Sequence, residues 1–160
     1  MTATTTTKQR RDIGYSTLEE LRLDAEAIAA GPFATIGQWS YGQILDHLAK
    51  AVHCSIDGFP FRAPLWMRLG APFLKNSVLT KKMQPGWKLP KSADPYLPDA
   101  EATVEDALAR LVKGIDRLDT ENPEAAHPVF GKLAREEWIQ LHLRHAELHM
   151  SFVVPTASPD

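Results

Sequence analysis

The chain has 160 residues, 44% of them hydrophobic and 24% charged, and its formal net charge is −2. This composition is typical of one globular domain and lacks the basic excess of a general nucleic-acid binder. No run of about 18 or more apolar residues is present, so we expect no membrane partner. The single cysteine, Cys54, and an N-terminus without an apolar stretch indicate a cytoplasmic protein.

Apolar residues at helical spacing predict four amphipathic helices and no convincing strand. We expect one domain over residues 16–154, between a flexible N-terminal tail over 1–15 and a C-terminal tail over 155–160. The first helix is predicted from about Thr17 to Ala30, with a Ser-x-x-Glu capping box that begins at Ser16.

The second helix is predicted from Tyr41 to about Asp57, with a capping box formed by Ser40 and Gln43. His47 lies at the edge of its buried stripe, from which the ring could reach another helix of a bundle. Asp46 falls on the polar side of the same helix.

A long connection, residues 58–99, follows the second helix and holds seven of the twelve prolines and six of the thirteen aromatic residues. The prolines exclude one long helix, although a short helix around Leu65–Leu74 is expected. The apolar content predicts that this segment packs on the other helices rather than acting as a linker. Its net charge is +5, which leaves −7 on the rest of the chain.

The third helix is predicted from about Val104 to Thr120, with Thr103 as its cap. The fourth lies within residues 133–154, and Ala134 stands where a capping hydroxyl would be expected. Isolated helices of this length are marginal in water, so the sequence predicts that they pack as an all-α four-helix bundle.

Three histidines, His142, His145 and His149, lie at the centre of the apolar face of the fourth helix, opposite a polar stripe that includes Glu147. Buried imidazoles need partners, which are either hydrogen bonds to a neighbouring helix or a shared metal ion. Residues two turns apart are about 10 Å apart, too far to share an ion easily. With His47, the spacing therefore allows two triads, one with His145 and His149 and the other with His142 and His145.

Other site types are not supported by the sequence. In residues 145–149, Ala146 stands where the glutamate of a zinc-protease H-E-x-x-H would follow the first histidine. Phosphate-binding loops, the dinucleotide fingerprint and the nucleophile elbow are absent, and so are the paired E-x-x-H motifs of di-iron bundles. No convincing general base is identifiable.

The histidine pattern, with His47 in an H-L-A context and His145-x-x-x-His149, resembles the DinB-like (damage-inducible) metal-binding superfamily. More narrowly, several short motifs are similar to a branch described only as a domain of unknown function, and the likeness runs from about Ser16 to Val154. These motifs are the stretch around His47, Gly58-Phe-Pro, Met83-x-x-Gly86-x-x-x-Pro90, and His127-Pro-x-Phe130-Gly131 with Glu137-Trp138.

The resemblance implies a four-helix bundle that holds a divalent metal, zinc or nickel most often, through His47, His145 and His149. His142 would then be a neighbouring group that orients a ligand, or an alternative ligand. Some relatives are thiol transferases or isomerases that use a low-molecular-weight thiol such as bacillithiol, mycothiol or glutathione. Relatives often form dimers, which implies a homodimer here.

We therefore expect a metal-dependent thiol transferase, or a related isomerase or hydrolase, acting on a small anionic substrate, because three imidazoles leave one coordination position open. The basic connection would cover the site and attract the anion, with Lys81, Lys82, Lys88 and Trp87 as candidates. The alternative to a substrate cover is a solvated basic loop. The alternative to an enzyme is a non-catalytic helical module that binds a metal or another ligand.

Overall fold

The computed structural model describes residues 9–86 and 90–156, and the fold is mostly helical with a small two-stranded sheet. In chain order the elements are α1 Leu18–Ala29, β1 Phe33–Thr35, α2 Tyr41–Asp57, α3 Leu65–Thr80, a 3-10 helix Lys91–Tyr96, α4 Val104–Thr120, α5 Arg135–Met150 and β2 Val153–Pro155. Within the described residues, no helix is long and apolar enough to cross a membrane.

The four predicted amphipathic helices are present as α1, α2, α4 and α5, and α2 and α4 have the predicted bounds. The short helix expected in the connection continues to Thr80 as α3. The expectation of no strand was wrong, because β1 pairs antiparallel with β2 and Phe33 lies opposite Pro155. Each strand has only three residues, too few for an alternating pattern to be visible.

The helix caps follow from local hydrogen bonds. The capping box of Ser40 and Gln43 and the Thr103 cap are confirmed. The predicted cap at Ser16 was wrong by one residue, since the Thr17 hydroxyl accepts the Glu20 N–H at 3.1 Å. At α5, Ala134 is the N-cap and supplies no side-chain hydrogen bond.

One hydrophobic core joins α1, α2, α4 and α5, with Leu21, Leu45, Leu111 and Leu143 among its buried side chains. A second, smaller cluster places α3 against α5 through Leu79, Leu133, Trp138 and Leu141. The two clusters lie on different sides of α5, which is therefore covered on more than one face.

The C-terminal half of α5 is enclosed, and no side chain from Leu141 to Met150 is exposed. Residues 9–15, the described part of the expected N-terminal tail, pack along this helix, and the Tyr15 N–H donates to the Glu147 carboxylate at 2.7 Å. The predicted solvent-facing position of Glu147 was therefore wrong, since its side chain is 4% exposed. A helical-wheel prediction assumes that one face of the helix is exposed to solvent, but residues 141–150 of α5 have no exposed face.

Candidate metal centre

Three histidines meet where α2 packs beside α5. His145 and His149 lie on successive turns of α5, and His47 faces them from α2. One ring nitrogen from each histidine lies within 4.8 Å of the other two. The closest pair is His47 Nε2 and His145 Nε2, 3.1 Å apart. The fold thus brings together residues separated by about a hundred positions in the chain.

The orientation of the His47 ring is set by a backbone carbonyl. His47 Nδ1 lies 3.3 Å from the Tyr96 carbonyl oxygen, to which an Nδ1–H donates. This hydrogen bond places the proton on Nδ1 and leaves the lone pair of Nε2 facing the other two histidines. The 3-10 helix that ends at Tyr96 thereby becomes part of the site.

Asp46, which precedes His47 in α2, binds the chain three residues after this carbonyl. Its carboxylate accepts the Asp99 N–H at 2.8 Å and forms ion pairs with Lys50 at 3.0 Å and Arg110 at 2.8 Å. Asp46 is 1% exposed, so its predicted position on the polar side was wrong. A buried carboxylate is tolerated here because two cations and a backbone N–H satisfy its oxygens.

Burial keeps the three imidazoles neutral. It lowers the pKa of His47 to about 4, and together with the neighbouring His47 it lowers the pKa of His149 to about 3. The pKa of His145 lies well below its usual range because of burial and the adjacent imidazoles. Neutral rings retain the lone pairs that a metal ion requires, so no proton has to be displaced near pH 7.

Aromatic rings form the walls of the site. Trp39 stacks on His149 with ring centroids 5.3 Å apart and contacts His47 edge-on at 5.0 Å. The Tyr96 ring lies 4.9 Å from His47 on another side. His47 is buried and His145 and His149 are partly buried, so the triad lies in largely aromatic surroundings.

The donor set fits a divalent transition metal. Zinc–nitrogen distances of about 2.0–2.1 Å place two ligands of a tetrahedral ion about 3.3 Å apart. The 3.1 Å separation of His47 and His145 already matches this spacing, and the third nitrogen lies within 4.8 Å. Small rotations of the rings would complete a three-sided site. Imidazole ligands suit zinc, nickel and copper rather than calcium or magnesium.

A family model described as a protein of unknown function (DUF1569) matches residues 7–156. The chain belongs to the DUF1569 family. No curated protein and no solved structure matches the chain. The predicted resemblance to a domain of unknown function is confirmed, and the match covers more of the chain at both ends than the motifs suggested.

In this DUF1569 domain His142 lies apart from the triad. Its Nε2 is 3.1 Å from the Ser55 hydroxyl, which itself donates to the Val52 carbonyl at 2.6 Å and so accepts from the ring. His142 also stacks on Trp138 at 5.5 Å. It is a hydrogen-bonded core histidine, and the structure brings together the triad with His149 rather than the one with His142.

The basic connection reaches the site through Tyr96. Of the candidate cover residues, Trp87 and Lys88 lie outside the described residues, and Lys81 is exposed. Lys82 forms an ion pair with Asp12. It also borders a cleft of about 340 Å³ whose lining includes Arg10, Arg11, Glu147 and Leu148, the last of these next to His149 in sequence.

Sequence reasoning missed Trp39, Asp46 and the Tyr96 carbonyl. Trp39 directly precedes the Ser40 cap, so its nearness to His47 along the chain was available as a signal. The roles of Asp46 and Tyr96 depend on a contact between α2 and residues 96–99, about fifty positions away, which no local pattern reports.

Proposed function

We propose that this chain is a metal-dependent enzyme that binds zinc or nickel through His47, His145 and His149. Its reaction would be thiol transfer, or a related isomerisation or hydrolysis, on a small anionic substrate. The observation that carries the proposal is the convergence of three neutral imidazoles from two helices beside the ring of Trp39. Once bound, a divalent ion would hold a thiol in its reactive thiolate form or activate water.

The protein side chains would position the metal ion and control access to it. Three protein ligands leave one coordination position free, as in catalytic rather than structural sites. We propose that a substrate reaches that position past His145 and His149, the two residues of the triad that are only partly buried. Trp39 and Tyr96 restrict water on the other sides, which strengthens electrostatic interactions within the pocket.

The substrate class rests on charge. The connection over residues 58–99 carries +5 and contacts the triad at Tyr96. The cleft that contains Lys82, Arg10 and Arg11 borders the end of α5 that carries His149. We propose that an anionic thiol or organic acid approaches along this side and that Lys81 and Lys82 attract it.

We also propose that the helices form a four-helix bundle of the DinB-like type. The supporting features are the single core shared by α1, α2, α4 and α5, and the long crossover between α2 and α4. The resemblance of the histidine pattern to that superfamily provides the second support.

The deciding experiment is metal analysis of protein purified without an affinity tag, followed by a screen of small thiols with electrophiles. We expect about one zinc or nickel ion per chain and turnover that a chelator abolishes. Stoichiometric metal without thiol affinity or turnover would instead establish a non-catalytic metal-binding module. Protein that takes up no divalent metal would contradict both the metal-dependent enzyme and the metal-binding module.

A further inference from the structure

The outer side of α3 carries an apolar ridge of four large side chains. Leu65, Trp66, Leu69 and Phe73 are 66%, 74%, 68% and 88% exposed. The three residues other than Trp66 follow one another at intervals of four, and Trp66 lies beside them, so the ridge occupies one arc of the helix. The inner side of α3 packs on α5, which leaves this arc directed away from the protein.

Basic residues border the ridge. Residues 58–93 contain seven Lys and Arg and no Asp or Glu. Arg62 precedes α3, Lys81 follows it and Arg68 lies on its flank, and all three are exposed. In the described part of the chain none of these three forms an ion pair, whereas Lys75 pairs with Glu137. The arc of the ridge itself contains no charged residue.

A convex ridge does not suit an extended peptide, which binds in a groove or along a sheet edge. A second copy of the chain would need an apolar surface to match. In the described residues, the other exposed large apolar side chains are Leu74 of α3, which lies outside the arc of the ridge, and Leu23, Phe33 and Leu97, which belong to separate parts of the fold. Two copies would therefore pair ridge against ridge, and their flanking basic residues would repel each other.

An anionic bilayer surface matches both the apolar ridge and the basic residues that border it. Its interface accepts protruding Leu, Phe and especially Trp side chains, while its head groups attract Lys and Arg. A helix that lies in the plane of the interface needs only one apolar face and no spanning length. The sequence-based expectation of no membrane partner considered only a spanning segment.

We propose that α3 is a membrane-surface contact that inserts its ridge into the interface of an anionic bilayer. Leu65, Trp66, Leu69 and Phe73 enter the boundary between head groups and acyl chains. Arg62, Arg68 and Lys81 face the lipid phosphates and carboxylates. This binding does not depend on the metal centre, so either proposal can fail without the other.

The test is co-sedimentation of the full chain with vesicles of phosphatidylcholine, either alone or with about 30% phosphatidylserine. We expect partitioning onto the serine-containing vesicles to be at least about tenfold stronger, and to weaken as salt screens the charges. The double substitution Leu69→Ser with Phe73→Ser should lower it by about tenfold or more. Leu23→Ser on α1, at a side chain 55% exposed, is the matched control and should leave it unchanged.

A second variant separates charge from apolar insertion. Arg62→Glu with Lys81→Glu leaves the ridge intact and should abolish the preference for phosphatidylserine. This charge variant still tests the membrane contact if circular dichroism shows that the double serine variant is unfolded. Equal binding to both kinds of vesicle, or binding to neither, overturns the proposal. So does sedimentation that shows a dimer which Phe73→Ser dissociates, because a second copy would then cover the ridge.

Discussion

At the scale of single residues, His142 and His149 show how two similar histidines come to differ. Both lie on the face of α5 that was predicted to be apolar, and burial lowers the pKa of each to about 3. His142 has the Ser55 hydroxyl as a hydrogen-bond partner. For the ring of His149, no hydrogen-bond partner is found among residues 9–86 and 90–156, and this ring stacks on Trp39 beside His47. A metal ion would satisfy the histidine that has no other partner.

Alanine substitutions test the triad. His47→Ala, His145→Ala or His149→Ala should each weaken metal binding sharply, because two imidazoles hold a divalent ion far less well than three. His142→Ala should weaken it by no more than about 10–100-fold, the effect of losing a neighbouring group. The measurement is calorimetric titration with zinc.

His53→Ala is the matched control for this series. His53 also lies on α2, but its ring hydrogen-bonds to the Arg110 carbonyl at 3.0 Å, away from the triad. Its substitution should leave the zinc affinity unchanged. If His142→Ala abolishes binding while His149→Ala does not, the triad is the one with His142.

His127 should make stability depend on pH. Its Nδ1 accepts the N–H groups of Val129 and Phe130, both at 3.1 Å, and burial lowers its pKa from 6.5 to about 4. The unfolded chain therefore binds more protons than the folded chain between these values. The stability that the neutral ring contributes is present above about pH 6.5 and is lost as the pH falls towards 4.

His127→Asn isolates this contribution, because the Asn side-chain oxygen can accept the same N–H groups and does not titrate. We expect urea unfolding of the wild type to lose about 1–3 kcal/mol more than the variant between pH 7 and pH 4. The other buried histidines titrate in both proteins and cancel in the difference. Parallel pH profiles would show that His127 contributes nothing.

At the scale of elements, the start of α2 depends on a close approach of two backbones. A Cβ at Gly42 would lie 2.1 Å from the Ala102 carbonyl oxygen, just before α4. Neither backbone can move without disturbing the contact between α2 and α4. Gly42→Ala should therefore destabilise the protein by about 1–3 kcal/mol, although alanine is the better helix former.

Gly70→Ala on α3 is the control, since a Cβ there meets nothing within 4 Å. It should stabilise the protein by about 0.5–1 kcal/mol through helix propensity alone. Urea unfolding of each variant measures these changes in the free energy of unfolding. A stabilising Gly42→Ala would contradict the close approach of Ala102 to the start of α2.

The N-terminus of α5 can be improved. The Ala134 N–H already donates to the Glu137 carboxylate at 2.9 Å, and Ala134 is exposed, so Ala134→Ser would supply the missing half of a capping box. We expect a gain of about 0.5–2 kcal/mol in the free energy of unfolding. Ser40→Ala at the equivalent position of α2 should cost a similar amount. An unchanged melting temperature for Ala134→Ser would contradict this cap.

At the scale of the whole molecule, a bound metal would join α2 to α5. An ion that binds only the folded chain, at a concentration of about 100 times its Kd, adds about 2.7 kcal/mol of stability. For a domain of this size the melting temperature should rise by about 5–10 °C. Differential scanning calorimetry with zinc measures this rise in melting temperature, and a chelator should reverse the rise. His47→Ala should show no rise, and an equal rise in that variant would place the metal elsewhere.

The sequence by itself determined the helical fold class, the bounds of α2 and α4, and His47, His145 and His149 as one of two possible triads. Periodicity and capping residues are local, so they report where helices begin, end and face a core. They also showed that the connection over residues 58–99 is too apolar to be a linker, and it does pack on α5 through α3.

Only the tertiary structure decided which histidines meet and what surrounds them. Ser55 removes His142 from the triad, and the Tyr96 carbonyl fixes the ring of His47. The burial of Asp46 and Glu147 follows from residues 96–99 and 9–15, which lie against helix faces that a wheel assigns to solvent. Such contacts join parts of the chain about fifty or more positions apart, and their partners depend on how the elements pack rather than on the local pattern.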